Sequence, residues 1–297
     1  RELNKRLFAQ LAEFPELQRL VPPGMPSALL PYYEASRRFE QFDDASKLAA
    51  FARNTVWKAN LDGRTVVLKM YSVDSAEIKT CFHEAALLLK CRHPSVVDLE
   101  AVFASGSHFY LQMPFYPNGT LRDVCGSTPP SERALIELLL PLSQALAHLD
   151  ANGIVHSDIK PDNILIDANM RPRLADFDVS VSTVQRRTVA FAKTTMAFGG
   201  TGGGTSGYMA PEVLFGGAAE LSSKSDVFSL GKTIEDMALA AGLLKLGWMA
   251  ATGTSGMAEG DHPLWAVLKG MLSERPGDRP TAAETAAQTQ EALVRIG

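Results

Sequence analysis

The stretch HSDIKPDN at residues 156–163, followed by the apolar run ILI at residues 164–166, decides how the rest of this sequence is interpreted. It places a carboxylate at Asp158, an ammonium group two residues later at Lys160 and an amide five residues later at Asn163. A loop of this kind can carry a base, a cation that neutralises phosphate charge and an oxygen ligand for Mg²⁺. Taken alone, the octapeptide could also be a surface turn, so its partners elsewhere in the chain decide between the two interpretations.

The length and composition of the chain are those of a globular protein with a sizeable core. Its 297 residues are 46% hydrophobic and 21% charged, which predicts one large domain or two lobes. The formal net charge is -4. Because such a chain has no global positive field, we expect neither nucleic acid nor an anionic membrane surface to bind it through charge.

The cysteines and the most apolar segment indicate neither a metal site nor a membrane span. Cys81, Cys91 and Cys125 follow no metal-binding or disulfide-framework spacing, and they are interpreted as buried small apolar side chains. Residues 134–149 are apolar but are interrupted by charged and polar side chains and by a proline. We therefore do not expect this segment to cross a bilayer.

Residues 1–45 are interpreted as an N-terminal extension, partly helical, that docks on the domain behind it. Apolar residues recur there at helical spacing until Pro15, and a Pro-rich segment follows at residues 21–31. These apolar residues are Leu3, Leu7, Phe8, Leu11 and Phe14. An amphipathic membrane anchor is the alternative, although acidic residues dilute the basic face that it prefers. Membrane association is expected only through this extension.

Residues 48–112 are rich in β signals around a single helical pattern. The turn signal Asp62-Gly63 joins the first two strand-like runs. The predicted strands are residues 51–60, 64–71, 96–102 and 108–113, and the predicted helix is residues 76–90.

After a turn-rich link at residues 114–119 the pattern becomes mostly helical. The predicted helices are residues 131–151, 224–244, 263–273 and 281–296. The last begins with Thr281-Ala-Ala-Glu284, a capping box directly after a proline. The predicted fold class is therefore α+β, with a small β-rich lobe followed by a large helical lobe.

Three charged residues outside the octapeptide fit the same chemistry. Lys69 ends a strand-like run and Glu84 lies on the next helix, so the two could form an ion pair that holds the ammonium group against phosphates. Asp176, in the sequence Asp-Phe-Asp, follows two further strand-like runs and could ligate Mg²⁺. Their order along the chain favours a site over a surface turn.

In these motifs and their order, the sequence from about residue 48 to the C-terminus resembles a eukaryotic protein kinase. The resemblance implies the bilobal kinase fold, with an N-lobe at residues 46–113, a hinge at 114–119 and a C-lobe at 120–297. It also implies protein substrates and the use of ATP and Mg²⁺. The implied catalytic set is Asp158 as base, Lys160 at the γ-phosphate, Lys69 at the α- and β-phosphates, Glu84 as the partner of Lys69, and Asn163 and Asp176 as Mg²⁺ ligands.

The same resemblance implies which residues bind the nucleotide and which support the catalytic loop. The implied nucleotide site consists of Lys69, Val56, Val67, Met113 as gatekeeper, Pro114 and Tyr116 of the hinge, and Leu165. The implied structural support consists of His156, Phe177, Asp226, and Glu212 with Arg279 as its ion-pair partner.

Two positions indicate which hydroxyl would accept the phosphate. Lys160 and the pair Gly204-Thr205 ahead of Tyr208 resemble the Ser/Thr-specific pattern. We therefore expect a serine/threonine kinase with Thr205 in the loop that binds the substrate. Small-molecule phosphotransferases share a His-x-Asp loop but are not expected to carry YMAPE, as at residues 208–212, or DVFSLG, as at residues 226–231.

The sequence departs from the family in the turn that should cover the phosphates. The family has three glycines there, and this chain has Ala49, Phe51 and Asn54. Side chains at these positions restrict the approach of backbone amides to phosphates, and Val67 adds bulk where the family usually has alanine. A pseudokinase that acts as a scaffold or regulatory binding protein is therefore the alternative. The complete catalytic set favours a working enzyme.

Two further features concern location and regulation. The absent glycines and the His-Ser-Asp sequence are similar to those of secreted rhoptry kinases in coccidian parasites. That resemblance implies a rhoptry or parasitophorous vacuole as the location, with the cytoplasm as the alternative. Ser157 replaces the arginine that normally pairs with a phosphorylated activation loop, so we expect constitutive activity.

Overall fold

The computed structural model describes residues 21–51, 54–73, 77–182, 206–216, 220–244 and 263–297. These residues form two compact units. The first comprises the described residues up to Arg92 together with Val97–Phe115, and the second comprises His93–Val96 and the described residues from Tyr116 onward. The first unit is built on a β-sheet and the second mainly on helices, which confirms the α+β class.

A five-stranded antiparallel sheet forms the centre of the first unit. Its strands are β1 (Asp43–Ala50), β2 (Thr55–Leu61), β3 (Arg64–Ser72), β4 (Ala101–Ser105) and β5 (His108–Pro114), in the spatial order β1-β2-β3-β5-β4. The turn between β2 and β3 is the predicted Asp62-Gly63, and both residues have positive φ. Because side chains alternate across a strand, β3 turns Val66 and Leu68 to one face and Lys69 and Tyr71 to the other.

One face of the sheet carries an aromatic core that includes residues preceding β1. Phe42 is stacked on Phe103 with 5.4 Å between ring centroids. Phe39 packs edge to face on Trp57 and parallel to Tyr110. The buried residues of this cluster are Phe42, Ala59, Val66, Leu68, Phe103 and Tyr110. The core of the sheet therefore extends upstream of the first strand.

Residues 21–42 also cover the outer edge of β4. A 3₁₀ helix at Ser27–Tyr32 buries Leu29, and Tyr33 then forms a parallel bridge with Val102 of β4. The amide of Glu34 donates to the carbonyl of Val102 at 2.9 Å. An uncovered edge strand would expose unpaired backbone groups, so this segment completes the sheet.

Helix α1 (Glu77–Lys90) covers the other face of the sheet. Its buried side chains recur at helical spacing and are Cys81, Phe82, Glu84, Ala85, Leu87 and Leu88. Phe82 meets Phe109 of β5 edge to face, with 5.1 Å between ring centroids. This packing brings Glu84 to the face of β3 that carries Lys69.

Helices make up most of the described part of the second unit. They are α2 (Leu121–Ser127), α3 (Glu132–Ala151), α4 (Pro211–Gly216), α5 (Ser223–Ala240), α6 (Pro263–Met271) and α7 (Ala282–Ile296). Helix α3 packs against α5 and α7. The predicted capping box begins α7, since the amide of Glu284 donates to Thr281 Oγ1 at 3.1 Å and the amide of Thr281 donates to the Glu284 carboxylate at 2.7 Å.

Helix α3 is more apolar than the sequence interpretation allowed. By length and composition it could cross a membrane, contrary to the expectation for residues 134–149. Its apolar side chains face neighbouring helices in the structure, and the buried ones include Leu135, Ile136, Leu139 and Leu142. A core helix of a globular protein has the same composition for this reason.

The three cysteines are free and buried, which agrees with their interpretation as small apolar side chains. Cys81 and Cys91 lie in the first unit and Cys125 lies on α2. Burial raises the pKa of each thiol, and for Cys91 it does so to about 11. The reactive thiolate is therefore scarce at neutral pH in the folded protein.

Two predicted strands were wrong in part, and one helix was not predicted. Residues 51–60 are not one strand, because β1 ends at Ala50 and β2 begins at Thr55. Residues 96–100 are irregular, with Val96 in an isolated bridge to Leu174, and the strand there begins at Ala101. Helix α2, which begins after the N-cap Thr120, was not predicted.

Candidate active site

The first unit contains the ion pair expected from Lys69 and Glu84. Lys69 Nζ lies 2.9 Å from Glu84 Oε1, and the two side chains are 7% and 2% exposed. A buried ion pair needs further hydrogen bonds to offset the loss of hydration. Tyr71, two residues after Lys69, supplies one by donating its hydroxyl hydrogen to Glu84 Oε2.

Two short antiparallel strand pairs position the loop at residues 156–163 in the second unit. They are β6 (Ile154–Val155) with β9 (Val181–Ser182), and β7 (Ile164–Ile166) with β8 (Pro172–Leu174). Asn163 directly precedes β7 and Asp176 follows β8, so both lie at the same end of an antiparallel pair. The amide of Ala175 donates to the carbonyl of Asn163 at 2.9 Å and closes that end.

Asp158 is the central carboxylate of this loop. Its Oδ2 accepts hydrogen bonds from Lys160 Nζ at 2.7 Å and from Asn163 Nδ2 at 2.8 Å. Its carbonyl accepts a second hydrogen bond from Asn163 Nδ2 at 2.8 Å, and its amide donates to His156 Nδ1 at 3.3 Å. Three predicted catalytic residues therefore share one network, which fixes the orientation of the carboxylate.

Asp226, in the first turn of α5, holds the start of the loop. Its Oδ2 accepts from the amide of His156 at 2.7 Å and its Oδ1 from the amide of Ser157 at 2.9 Å. Ser157 has a φ of 71°. This left-handed conformation costs a non-glycine residue about 1–2 kcal/mol. Two hydrogen bonds to a buried carboxylate offset that cost and fix the loop.

His156 and Phe177 form a buried contact that supports the loop. Their rings meet edge to face with 4.7 Å between centroids. Burial lowers the pKa of His156, so its ring is neutral at physiological pH. Nε2 then donates to the carbonyl of Ala175 at 3.0 Å, while Nδ1 accepts from the amide of Asp158. Both ring nitrogens are therefore used to connect the two segments of the site.

The predicted Mg²⁺ ligands, Asn163 and Asp176, lie at the same end of the β7–β8 pair. Asn163 Nδ2 donates twice to Asp158, so the Oδ1 of Asn163 is left as an acceptor. An amide oxygen and a carboxylate are ligands that Mg²⁺ accepts, with water and phosphate oxygens completing its shell. Among the described residues, no three His, Cys, Asp or Glu side chains converge on a metal position.

The ion pair expected between Arg279 and Glu212 is bidentate and buried. Nη1 and Nη2 of Arg279 lie 2.6 and 2.7 Å from the two carboxylate oxygens of Glu212. The guanidinium also lies 4.7 Å from the ring centroid of Phe228, and its Nε donates to the carbonyl of Ser273. The pair connects α4 to the turn that precedes α7.

The predicted nucleotide-binding residues of the first unit lie on adjacent strands. Val56 of β2 is opposite Lys69 of β3, and Val67 of β3 is opposite Met113 of β5. Pro114 is the last residue of β5.

The remaining predicted nucleotide-binding residues belong to the second unit. Leu165 is the middle residue of β7 and bridges Thr120, and the ring of Tyr116 lies 6.0 Å from the guanidinium of Arg173. Thr205, predicted for the substrate loop, lies outside the described residues.

The β1–β2 hairpin takes the place of the glycine-rich turn. Ala49 pairs with Val56 and Ala50 with Thr55, and the amide of Phe51 donates to the carbonyl of Asn54 at 2.8 Å. One amide of the turn is therefore already used within the hairpin. In a glycine-rich loop, the backbone amide at this position would donate to a phosphate oxygen.

A charged cluster in the second unit was not predicted from the sequence. Arg122 of α2 donates to both carboxylate oxygens of Asp162 at 2.9 Å and to the hydroxyl of Tyr208 at 3.0 Å. Tyr208 in turn donates to Asp236 of α5. The hydrogen bonds from Arg122 hold the pKa of Asp162 below its ordinary value. Asp162 lies within the octapeptide, but no motif marked its partner on α2.

A small pocket lies beside Asp158 in the second unit. Its lining includes Tyr208, Met209, Ala210 and Val213 in addition to Asp158. The cluster around Arg122 holds Tyr208, so it also positions one wall of this pocket.

Comparison with known protein families agrees with this geometry. Residues 51–290, which is most of the chain, match the family model described as protein kinase domain.

Several curated proteins are similar to the same part of the chain. A protein kinase and PP2C-like domain-containing protein of Arabidopsis thaliana is 33% identical over 203 residues, which cover 65% of this chain and 30% of that protein. U-box domain-containing protein 70 of Oryza sativa subsp. japonica is 32% identical over 206 residues, which cover 67% of this chain and 25% of that protein. RasGEF domain-containing serine/threonine-protein kinase X of Dictyostelium discoideum is 29% identical over 202 residues, which cover 67% of this chain and 20% of that protein.

The chain spans less than a third of the length of each of these relatives. The relatives do not test the resemblance to rhoptry kinases or the location it implies, and both stay predictions.

Proposed function

The chain belongs to the protein kinase family, and from this premise we propose that it transfers the γ-phosphoryl group of Mg·ATP to serine or threonine hydroxyls of protein substrates. The network around Asp158 supports this proposal most, because Lys160 and Asn163 hold its carboxylate in one orientation. Phosphoryl transfer depends on positioning and charge neutralisation more than on covalent chemistry. A scaffold protein has no chemical need for such a network.

In the proposed reaction Asp158 accepts a hydrogen bond from the substrate hydroxyl and takes its proton as the oxygen attacks phosphorus. The bond between the γ-phosphorus and the bridging oxygen breaks, and ADP leaves. The ammonium group of Lys160, 2.7 Å from the same carboxylate, stabilises negative charge on the transferred group.

The cofactors of the proposed reaction have candidate ligands in both units. Lys69, held by Glu84, would bind nucleotide phosphates, and Asn163 and Asp176 would hold Mg²⁺. When bound, the cation neutralises the charge of the phosphates. Asn163 has two roles in this proposal, since its amide nitrogen orients Asp158 and its amide oxygen would be a ligand for the cation.

Two features support a serine or threonine acceptor. Lys160 occupies the position that resembles the Ser/Thr-specific pattern. Among the similar proteins, kinase X of Dictyostelium is named a serine/threonine-protein kinase.

A transfer assay with purified protein, Mg²⁺, labelled ATP and a generic Ser/Thr substrate tests the proposal. Asp158→Asn keeps the shape of the side chain and removes the base, so we expect transfer to fall by at least about 100-fold with an unchanged unfolding midpoint. The control Asp98→Asn removes an exposed carboxylate of the first unit and should transfer like the wild type. Undiminished transfer by Asp158→Asn would contradict the proposal.

A pseudokinase is the second candidate, and the β1–β2 hairpin favours it because the turn has no glycine and its Phe51 amide is already bonded. The two candidates differ in how the wild type responds to Mg·ATP. An enzyme transfers label, and nucleotide binding raises its thermal midpoint. A wild type with neither transfer nor a midpoint shift would favour a scaffold.

A further inference from the structure

Tyr71 gives the Lys69–Glu84 pair a third member. It lies two residues after Lys69 on β3, so the two side chains emerge on the same face of the strand. The tyrosine is 1% exposed, and its hydroxyl donates to Glu84 Oε2, while Lys69 Nζ donates to Glu84 Oε1 at 2.9 Å. Each oxygen of the carboxylate therefore has its own donor.

Burial makes the second donor important. Glu84 is held away from water, so a carboxylate oxygen without a donor would carry the full cost of lost hydration. A hydrogen bond to an ionised acceptor in such a site is stronger than one between neutral groups. The contact with Tyr71 therefore offsets part of the hydration that the buried carboxylate of Glu84 loses on folding.

The same contact restricts how Glu84 and Lys69 can move. A carboxylate held by one donor can rotate about its last side-chain bond, whereas two donors from one strand fix its plane. The ring of Tyr71 also lies beside the ammonium group, with Lys69 Nζ 5.8 Å from the ring centroid. Strand β3 thus supplies both Lys69 and Tyr71, whose hydroxyl fixes Glu84, the partner of Lys69.

We propose that Tyr71 is a positioning residue, which fixes Glu84 so that Lys69 presents its ammonium group to nucleotide phosphates in one orientation. This inference rests on the proposed function, in which Lys69 binds those phosphates. It assigns to this chain a three-residue unit, Lys69, Tyr71 and Glu84, in which two residues of one strand hold a single carboxylate.

The first test is a kinetic comparison of Tyr71→Phe with the wild type. The substitution keeps the ring and removes the hydroxyl, so we expect kcat/KM for ATP to fall about ten-fold while KM for the protein substrate stays unchanged. Tyr110→Phe is the matched control, because Tyr110 is another buried tyrosine of the same sheet and packs in the aromatic core on the opposite face. It should leave both constants unchanged.

A double variant separates positioning from a general structural effect. In a Glu84→Ala background the hydroxyl of Tyr71 no longer has a carboxylate to hold, so adding Tyr71→Phe should cause no further loss. An equal ten-fold loss in both backgrounds would overturn the proposal, as would wild-type kinetics for Tyr71→Phe alone.

A second measurement does not depend on turnover. Competitive acetylation with acetic anhydride, read by mass spectrometry, reports how freely the Lys69 amine reacts in the folded protein. We expect faster acetylation of Lys69 in Tyr71→Phe than in the wild type or in Tyr110→Phe. An unchanged rate would overturn the proposal even if the wild type transfers phosphate. If the wild type transfers none, the proposed function fails, and a faster rate still supports the role of Tyr71 in the ion pair.

Discussion

Two arginines make the same bidentate contact in opposite surroundings. Arg64 donates to both oxygens of Glu100 at 2.6 Å, and its side chain is 59% exposed. Arg279 makes the equivalent contact with Glu212, and its side chain is 0% exposed. An exposed pair gains little because water screens and competes with it, whereas removing one member of a buried pair leaves a charge without hydration.

This contrast predicts different costs for the same substitution. Arg279→Met should lower the free energy of unfolding by about 3–5 kcal/mol, because it removes a fully buried guanidinium that bonds Glu212 and the carbonyls of Ser273 and Glu274. Arg64→Met is the matched control and should cost about 0–1 kcal/mol, because Arg64 is exposed and Glu100 keeps its hydrogen bond from Gln112. Urea denaturation of both variants measures the difference, and equal costs would show that burial does not set the strength of these pairs.

Sequence motifs identified the charged residues of the site and two of its ion pairs, Lys69 with Glu84 and Glu212 with Arg279, but not the contacts of Arg122 and Tyr71. Lys69, Glu84 and Asp158 stand in recognisable motifs, so their residue types alone pointed to the site. Arg122 and Tyr71 do not, because their hydrogen bonds depend on how separate elements pack. A one-residue change in strand register or helix rotation would remove such contacts without changing any motif.

At the scale of elements, the segment before β1 belongs to the sheet that it precedes. Phe42 is 6% exposed and stacks on Phe103, although the sequence interpretation placed the domain boundary at residue 46. The sequence interpretation expected residues 1–45 to dock on the domain, and composition alone does not show that the aromatic residues after the Pro-rich segment fill the core of the sheet.

Phe42→Ala is therefore expected to lower the free energy of unfolding by about 3–5 kcal/mol, since it removes a core ring and leaves a cavity. Phe51 in the β1–β2 turn is a matched control because its side chain is 63% exposed. Phe51→Ala should change the free energy by no more than about 0.5 kcal/mol. Thermal or urea unfolding measures both, and a small loss for Phe42→Ala would mean that the segment is not part of the core.

Most long helices were predictable because a 3.6-residue apolar period persists over several turns, as in α3 and α7. The strand predicted at residues 96–102 failed for a physical reason. Val96, Val97 and Leu99 are apolar because they are buried, and burial alone does not require a regular ladder of hydrogen bonds. A short apolar run cannot distinguish a strand from buried irregular chain.

At the scale of the whole molecule, the partly buried His93 and the buried His156 connect stability to pH. Burial, His148 and Arg173 lower the pKa of His93, whose ring centroid lies 5.4 Å from that of His148. Burial also lowers the pKa of His156. Below about pH 6.5 these two histidines bind protons in the unfolded chain more readily than in the folded protein, where their pKa is lowered.

We therefore expect the free energy of unfolding to be nearly constant above about pH 6.5 and to fall as the pH decreases from there to about pH 5. His93→Gln should reduce the change of the free energy of unfolding with pH, and the part of that change that remains is due to His156. Urea midpoints measured across this range for both proteins give the two slopes. Identical slopes would contradict a role for His93.

The three buried cysteines can report local unfolding of the protein. Cys81 and Cys91 lie in the sheet unit and Cys125 lies in the helical unit, and burial raises the pKa of all three thiols. An alkylating reagent can reach each thiol only when its own unit opens. The rate at which each cysteine is alkylated therefore measures how often the surrounding unit unfolds, separately for the sheet and for the helices, without any engineered cysteine.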